Sequence, residues 1–95
     1  MPKSVILCVD DDNIILDCLR VQIRKKFGHS HSCEIASNAN EAMDVLEELN
    51  QDGTTVSVII SDWLMPGTKG DELLKQVHEK YPDIVKIMLS SQVDN

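Results

Sequence analysis

The chemically reactive side chains of this sequence lie where runs of apolar residues stop. The apolar run 5–9 stops at three consecutive aspartates, Asp10, Asp11 and Asp12, and another run stops at Asp62. Carboxylates that lie close together repel one another, so a cation must compensate them if all stay ionised. A hard divalent cation such as Mg²⁺ prefers oxygen ligands of this kind. Beside such a cation, an aspartate can act as the nucleophile toward a phosphoryl group.

Short apolar runs alternate with segments of helical periodicity. Apolar runs of this length are typical of strands buried on both faces of a parallel sheet, and they cover residues 5–9, 56–61 and 84–89. Residues 32–36 are a weaker strand candidate. Apolar residues recur at helical spacing in residues 13–27, 39–49 and 71–81. Strict alternation predicts an α/β fold with a parallel sheet, right-handed crossovers and helices on both faces.

Local signals mark where the helices begin and end. Asp12 or Asn13 can cap the first helix and Gly28 can end it. Asn38 and Glu41 form a variant capping box for the second helix, in which Glu41 reaches back to the cap. For the first helix we expect an inward face made of Ile15, Leu19, Ile23 and Phe27.

The carboxyl ends of parallel strands lie along one edge of the sheet, where ligands bind. We therefore expect the aspartates 10–12, Asp62 and Ser90 to lie close together, because each follows a predicted strand. A structural role is open for each one alone: Asp12 as a helix cap, Asp62 as a turn residue, Ser90 bonded to backbone. Their joint occurrence at matching strand ends favours a site.

Composition restricts the class of function. The 95 residues carry a net charge of -7, which argues against nucleic-acid binding by this segment. Cys8, Cys18 and Cys33 have no disulfide-type spacing. Cys8 lies in an apolar strand-like run and Cys18 in a helix-like run, so we expect both to be buried. Unpaired cysteines indicate a reducing cytoplasm. No apolar stretch reaches the ~18 residues that a membrane span needs.

Three segments resemble response-regulator receiver domains, the phosphoacceptor modules of two-component signalling. Residues 5–12 resemble the family's opening strand with its acidic pair, and residues 62–70 resemble its phosphoacceptor pattern D-x-x-M-P-G-x-x-G. Residues 87–91 resemble the family strand that ends in Ser or Thr and a small residue. The resemblance covers the whole chain and implies a flavodoxin-like, doubly wound parallel sheet. Residues 1–95 would then be the N-terminal portion of one receiver domain.

The resemblance implies a role for each matching residue. Asp11 would bind Mg²⁺ or Mn²⁺ directly, and Asp10 mostly through water. Asp62 would ligate the metal and accept the phosphoryl group, with the backbone carbonyl of Leu64 as a further ligand. Ser90 would move toward the phosphoryl group. The donor would be a phosphohistidine of a histidine kinase or phosphotransfer protein, so the chain would be no enzyme but would assist its own phosphotransfer.

The sequence departs from the family after its fourth strand. The family has a fifth strand with a lysine that contacts the phosphoryl group, and neither Lys69 nor Lys86 matches it. In the family's strand order 2-1-3-4-5, the apolar run 84–89 becomes an exposed edge, and the sheet face beside the first helix lacks a cover. Such surfaces favour association. We therefore expect a homodimer, or a longer protein of which this chain is a part.

Two other functions fit parts of the sequence. Asp10-x-Asp12 resembles the nucleophile motif of haloacid dehalogenase-type phosphatases, with Ser90 as the second motif, but that interpretation leaves residues 62–70 unexplained. A receiver-like interaction or dimerisation module without phosphotransfer fits the missing lysine, whereas the intact acidic residues oppose it. Phosphoryl labelling that is absent or metal-independent in a folded protein would favour the interaction module.

Overall fold

Strands and helices alternate along the chain as the periodicity predicts. The computed structural model describes residues 3–62 and 70–89. Its elements are β1 (Ser4–Val9), α1 (Asn13–Phe27), β2 (His31–Ala36), α2 (Ala39–Gln51), β3 (Val56–Asp62), α3 (Gly70–Lys80) and β4 (Val85–Leu89). The predicted element order is confirmed, with small differences at the ends. Helix α3 stops at Lys80 rather than Tyr81, because Tyr81 precedes Pro82 and proline disfavours helical backbone in the residue before it.

The four strands form one parallel sheet in the order β2-β1-β3-β4. Strand β1 has a neighbour on each side, and residues 5–9 are all buried. A central strand covered on both faces has no polar side, which is why its sequence is a continuous apolar run. The flavodoxin-like α/β prediction is therefore confirmed for four strands and three helices.

Apolar side chains pack on both faces of the sheet. On one face, Leu7 and Ile59 pack with Leu46 of α2 and with Leu73 and Val77 of α3. On the other face, Ile6 and Cys8 pack under α1. The two cores hold β1 and β3 between helical layers, so the carboxyl ends of these two strands have fixed positions.

Helix α1 buries only part of the predicted apolar face. Leu16 and Ile23 are buried, whereas Ile15 and Leu19 are only half-buried and Phe27 is 45% exposed. The expectation that Phe27 belongs to the inward face was wrong: it ends the helix and packs edge-on against the ring of His31.

The burial expected for Cys18 was also wrong, because this residue is exposed. Two residues along a helix correspond to about 200° of rotation, so Cys18 faces away from the sheet when Leu16 faces it. The predicted burial of Cys8 is confirmed.

The helix caps follow the sequence signals with two differences. Asp12 caps α1, and its Oδ1 accepts from the backbone N–H of Ile14 (2.9 Å). In α2, Asn38 Oδ1 accepts from the N–H of Glu41 (2.8 Å), but Glu41 Oε2 accepts from the hydroxyl of Ser37 (2.9 Å) instead of reaching back to the Asn38 backbone. Gly28 follows α1 with a right-handed φ of -62°, so it does not use the left-handed conformation of many glycine caps.

Strand β4 lies at the edge of the described sheet. Val85 is 56% exposed, Ile87 42% and Leu89 40%. The register pairs Val85 with Val58 and Ile87 with Ile60, so these side chains extend the α1 face of the sheet beyond the helix. Ile84 was predicted to begin this strand, but it precedes the strand and is buried. Across residues 3–62 and 70–89, every helix is too short or too polar to cross a lipid bilayer.

Candidate functional site

Two aspartates follow adjacent strands at the carboxyl edge of the sheet. Val9 pairs with Ser61, so the next residues, Asp10 and Asp62, are neighbours across β1 and β3. The backbone N–H of Asp10 donates to the carbonyl of Ala36 (3.1 Å), which extends the pairing of β1 with β2 by one residue. The backbone of Asp10 is thereby fixed from the β2 side, while its side chain lies near β3.

Asp10, Asp11 and Asp62 form an acidic cluster. One carboxylate oxygen from each residue lies within 4.8 Å of one from each of the others. Asp10 is only 4% exposed and Asp62 7%, whereas Asp11 is exposed. The cluster therefore has two carboxylates in the floor of the site and one at its mouth.

Hydrogen bonds orient the buried side of the cluster. The backbone N–H of Asp12 donates to Asp10 Oδ1 (2.9 Å), which restricts the rotamer of Asp10. The hydroxyl of Ser61, itself fully buried, donates to the backbone carbonyl of Asp62 (3.1 Å). Because these bonds use one oxygen of Asp10 and only the backbone of Asp62, carboxylate oxygens remain for a ligand.

The environment of the acidic cluster disfavours the ionised form of Asp10. Burial raises the pKa of Asp10 above its ordinary value, the hydrogen bond from the N–H of Asp12 lowers it, and the negative charges of Asp62 and Asp11 raise it again. Within the described residues, Lys86 makes no ion pair with the acidic cluster; its Nζ donates to the Pro82 carbonyl (3.0 Å) and lies 3.1 Å from His78 Nδ1. The buried carboxylates of Asp10 and Asp62 therefore lie close together without Lys86 as a partner.

The three carboxylates fit a hard divalent cation. Mg²⁺ takes oxygen ligands at about 2.0–2.1 Å, so two oxygens on one ion lie at most about 4.2 Å apart. The observed limit of 4.8 Å exceeds that span by an amount that small side-chain rotations can close. Within residues 3–62 and 70–89, it is the one group of three or more acidic, histidine or cysteine side chains whose ligand atoms converge in this way.

The predicted site residues have different outcomes. Asp10, Asp11 and Asp62 lie together, as the strand-end argument expects, but their roles as ligands and acceptor stay predictions. Leu64 and Ser90 lie outside the described residues. Ala36 was not anticipated, because its contact with Asp10 depends on the register of β1 and β2, which a single sequence does not reveal.

Relatives of known description match most of this chain. A family model described as the response regulator receiver domain matches residues 6–95. The hydrogenase transcriptional regulatory protein HoxA of Cupriavidus necator is 38% identical over 93 residues, which cover 98% of this chain and 17% of that protein. The DNA-binding transcriptional regulator NtrC of Klebsiella pneumoniae is 32% identical over 94 residues, which cover 99% of this chain and 18% of that protein. The chain therefore spans less than a fifth of the length of these relatives.

Solved structures with the same fold include receiver domains. The signal receiver domain of an HD domain-containing protein from Pseudomonas fluorescens Pf-5 has a TM-score of 0.81 and 26% identity, and the match covers 98% of this chain and 68% of that one. The response regulator protein TrrA from Thermotoga maritima, solved in complex with Mg²⁺-BeF, has a TM-score of 0.76 and 25% identity, with coverage of 94% and 70%.

Proposed function

This chain belongs to the response-regulator receiver domain family, and we propose that it is a phosphoacceptor of a two-component phosphorelay that takes its phosphoryl group on Asp62. The observation that carries the proposal is the convergence of the acidic cluster at the carboxyl edge of the sheet. Asp62 also begins the segment 62–70 that follows the family's phosphoacceptor pattern. Asp10 and Asp11 do not begin such a segment, so we assign them to binding the cation.

The acidic cluster would hold Mg²⁺ or Mn²⁺, with the backbone carbonyl of Leu64 as a further ligand. The bound cation would neutralise charge on the carboxylates and on the incoming phosphoryl group. A carboxylate oxygen of Asp62 attacks phosphorus, a P–O bond forms, and the P–N bond of the donor phosphohistidine breaks. The electron pair of that bond returns to the imidazole, which takes up a proton. The product is an acyl phosphate on Asp62, and the hydroxyl of Ser90 would donate a hydrogen bond to one of its phosphoryl oxygens.

Asp10 and Asp11 contribute in different ways. Asp10 is buried and its rotamer is restricted by the N–H of Asp12, so it forms a preorganised part of the site. Asp11 is exposed and can meet a hydrated ion from solution without loss of buried contacts. Mg²⁺ commonly keeps several waters in protein sites. A direct ligand at the mouth and a second carboxylate acting through water agree with the roles expected for Asp11 and Asp10.

The partner in this proposal is a histidine kinase or phosphotransfer protein, and the chain itself is not an enzyme. A phosphatase of the haloacid dehalogenase type would need Asp12 beside the nucleophile Asp10. Asp12 instead caps α1 through Ile14 and lies outside the acidic cluster, which counts against that alternative. The three cysteines are free thiols, which favours a reducing cytoplasm as the location.

A second copy of the chain is proposed to cover the edge formed by β4. This strand exposes Val85, Ile87 and Leu89 on the side where Val58 and Ile60 extend beyond α1. Apolar strand edges pair readily with other strands. Light scattering over a concentration series should show a dimer that Ile87→Lys shifts toward monomer. A folded wild-type chain that stays monomeric at the highest concentration would contradict this part of the proposal.

Binding of beryllofluoride, a phosphoryl mimic, tests the acceptor site. Trp63 follows Asp62 in the sequence and serves as the fluorescent reporter. The wild-type chain should show a fluorescence change that requires both Mg²⁺ and beryllofluoride, and Asp62→Asn should lose it. Asp44→Asn removes one exposed charge from α2, away from the acidic cluster, and should behave as wild type. A folded wild-type protein without any Mg²⁺-dependent change would contradict the proposed function.

A further inference from the structure

Two thiols lie close together on neighbouring strands under α1. Cys8 Sγ of β1 and Cys33 Sγ of β2 are 4.0 Å apart. Cys8 is opposite Ile35 and Cys33 is opposite Ile6, so the two cysteines are diagonal neighbours on one face of the sheet. Cys8 is fully buried, whereas Cys33 is half-buried. An oxidant in solution therefore reaches Cys33 more easily than Cys8, and Cys8 lies close enough to react with an oxidised Cys33.

We propose that Cys8 and Cys33 are an oxidisable dithiol that a peroxide converts into a disulfide within the chain, and that this disulfide loosens the hold of β2 on Asp10. The covalent site does not depend on phosphotransfer. Its effect on cation binding rests on the function proposed above. Disulfides in cytosolic proteins are mostly transient and redox-sensing, which is the use that a pair of buried and half-buried thiols permits.

Cys33 is the sulfur that reacts first. It is the less buried one of the pair. The hydrogen bond with Cys8 lowers the pKa of Cys33, and the guanidinium groups of Arg20 and Arg24 lower it further, against the opposing effects of burial and of Glu34. A lowered pKa and partial exposure are features of thiols that oxidants attack, whereas the hydrogen bond with Cys33 and burial raise the pKa of Cys8, so Cys33 is the sulfur that reacts first.

The oxidation takes place in two balanced steps. The Cys33 thiolate attacks one oxygen of the peroxide, an S–O bond forms and the O–O bond breaks, and the leaving hydroxide takes up a proton to become water. The sulfur of Cys8 then attacks the Cys33 sulfur, an S–S bond forms and the S–O bond breaks, and hydroxide leaves with the Cys8 proton as a second water. Two thiols lose two electrons, and the peroxide gains them.

Closure of this disulfide requires the two strands to shift. A disulfide joins sulfurs at about 2.05 Å, and the present separation is 4.0 Å. Diagonal neighbours in a regular sheet have Cα atoms about 7–8 Å apart, which is beyond the span of a relaxed disulfide. Bond formation therefore draws β2 along β1 and stores strain in the bond. Strained disulfides are the readily reduced ones, so the modification should be reversible.

The shift of β2 reaches the acidic cluster through one hydrogen bond. Ala36 lies three residues after Cys33, and its carbonyl accepts the backbone N–H of Asp10 at 3.1 Å. Cys8 lies two residues before Asp10 on the other strand. A sliding motion between these strands displaces the Ala36 carbonyl relative to the Asp10 amide. The oxidised chain should therefore expose this amide and hold the carboxylate of Asp10 less firmly.

Peptide mapping tests the covalent site. The full chain carrying Cys18→Ser, which removes the exposed thiol, is treated with hydrogen peroxide and digested without reductant. We expect a linked pair of peptides that contain Cys8 and Cys33, with the loss of two hydrogens and full reversal by dithiothreitol. The matched variant Cys33→Ser should give no linked peptides. Oxidation of Cys33 to sulfinic acid without a link, or no reaction with peroxide, would overturn the proposal.

Amide hydrogen exchange and a Mg²⁺ titration test the consequence. In the oxidised chain, the Asp10 amide should exchange about tenfold faster or more, and Mg²⁺ affinity should fall about tenfold, the lower end of the effect of losing an outer-sphere hydrogen bond. Unchanged exchange at Asp10 in a disulfide-linked chain would overturn the coupling. Failure of the reduced chain to bind Mg²⁺ would instead contradict the proposed function. Peptide mapping and hydrogen exchange need no metal, so they test the dithiol independently.

Discussion

Replacing Asp10 with Asn should stabilise the metal-free protein and weaken its response to Mg²⁺. The substitution removes one of the two buried charges of the acidic cluster and nearly preserves the shape of the side chain. The Oδ1 of Asn can still accept the N–H of Asp12, so the local hydrogen bond is retained. What changes is the repulsion between Asp10 and Asp62, together with one carboxylate oxygen that would hold the cation, mostly through water.

The size of the effect follows from the separation of the carboxylates. Two unit charges 4.8 Å apart, the upper limit of the oxygen separations in the cluster, repel by about 3.5 kcal/mol at an effective dielectric constant of ~20. Asp11 is exposed and screened by solvent, so the pair of Asp10 with Asp62 dominates. Burial, together with the negative charges of Asp62 and Asp11, raises the pKa of Asp10, so its charged form is disfavoured in the folded state. We therefore expect a gain of about 1–3 kcal/mol in the free energy of unfolding without metal.

Urea denaturation in the presence of a chelator measures the gain. With an m-value of about 1–3 kcal/mol/M, the midpoint of Asp10→Asn should rise by about 1 M. Adding Mg²⁺ should then stabilise the wild-type protein by mass action and the variant much less. Asp12→Asn is the matched control, because it removes a neighbouring charge outside the acidic cluster and keeps a good helix cap.

The outcome is informative in both directions. If Asp10→Asn unfolds at lower urea than wild type without metal, the carboxylates do not repel in the folded state and the electrostatic reasoning is wrong. If Mg²⁺ stabilises the variant and the wild type equally, Asp10 takes no part in holding the cation.

Three further results follow from the same structure. Because the pKa of Asp10 is raised in the folded state, its contribution to stability is full below the unfolded-state pKa and is lost as pH rises through the folded pKa; urea midpoints of the metal-free protein should show this loss, and Asp10→Asn should lack it. Asn38→Ala should cost about 1 kcal/mol by thermal unfolding, because the N–H of Glu41 loses its acceptor, whereas Asn38→Asp should keep most of the stability. Gly28→Ala should cost about 1–3 kcal/mol, because its Cβ would contact the Arg24 carbonyl oxygen; a stability equal to wild type would show that the end of α1 can move aside.

Periodicity was sufficient to predict the order of strands and helices. Residues 5–9 are apolar throughout because β1 is central and covered on both faces. The inward face of α1 was harder to predict, because this helix carries apolar side chains in more than one direction: Ile14 is 74% exposed and Val21 53% exposed. Leu16 and Ile23 are the side chains of α1 that are buried against the sheet. The helix sequence alone does not distinguish them from the apolar residues that stay exposed.

The acidic cluster was predictable from the topology of the sheet, whereas the contacts of β2 with Asp10 and Cys8 were not. Asp10 and Asp62 follow neighbouring strands, so a parallel sheet alone places them at one edge. The proximity of Cys8 to Cys33 and the bond from Asp10 to Ala36 both depend on the register of β1 with β2. This register is a property of the folded sheet, and the sequences of the two strands do not reveal it on their own.

Phosphorylation of Asp62 is tested by treating the chain with the small donor phosphoramidate and mapping the modified residue by mass spectrometry. We expect one phosphoryl group on Asp62 that requires Mg²⁺, is released by hydroxylamine as an acyl phosphate is, and is lost in Asp62→Asn. A phosphoryl group on Asp10, or labelling that persists unchanged in Asp62→Asn, would contradict this expectation.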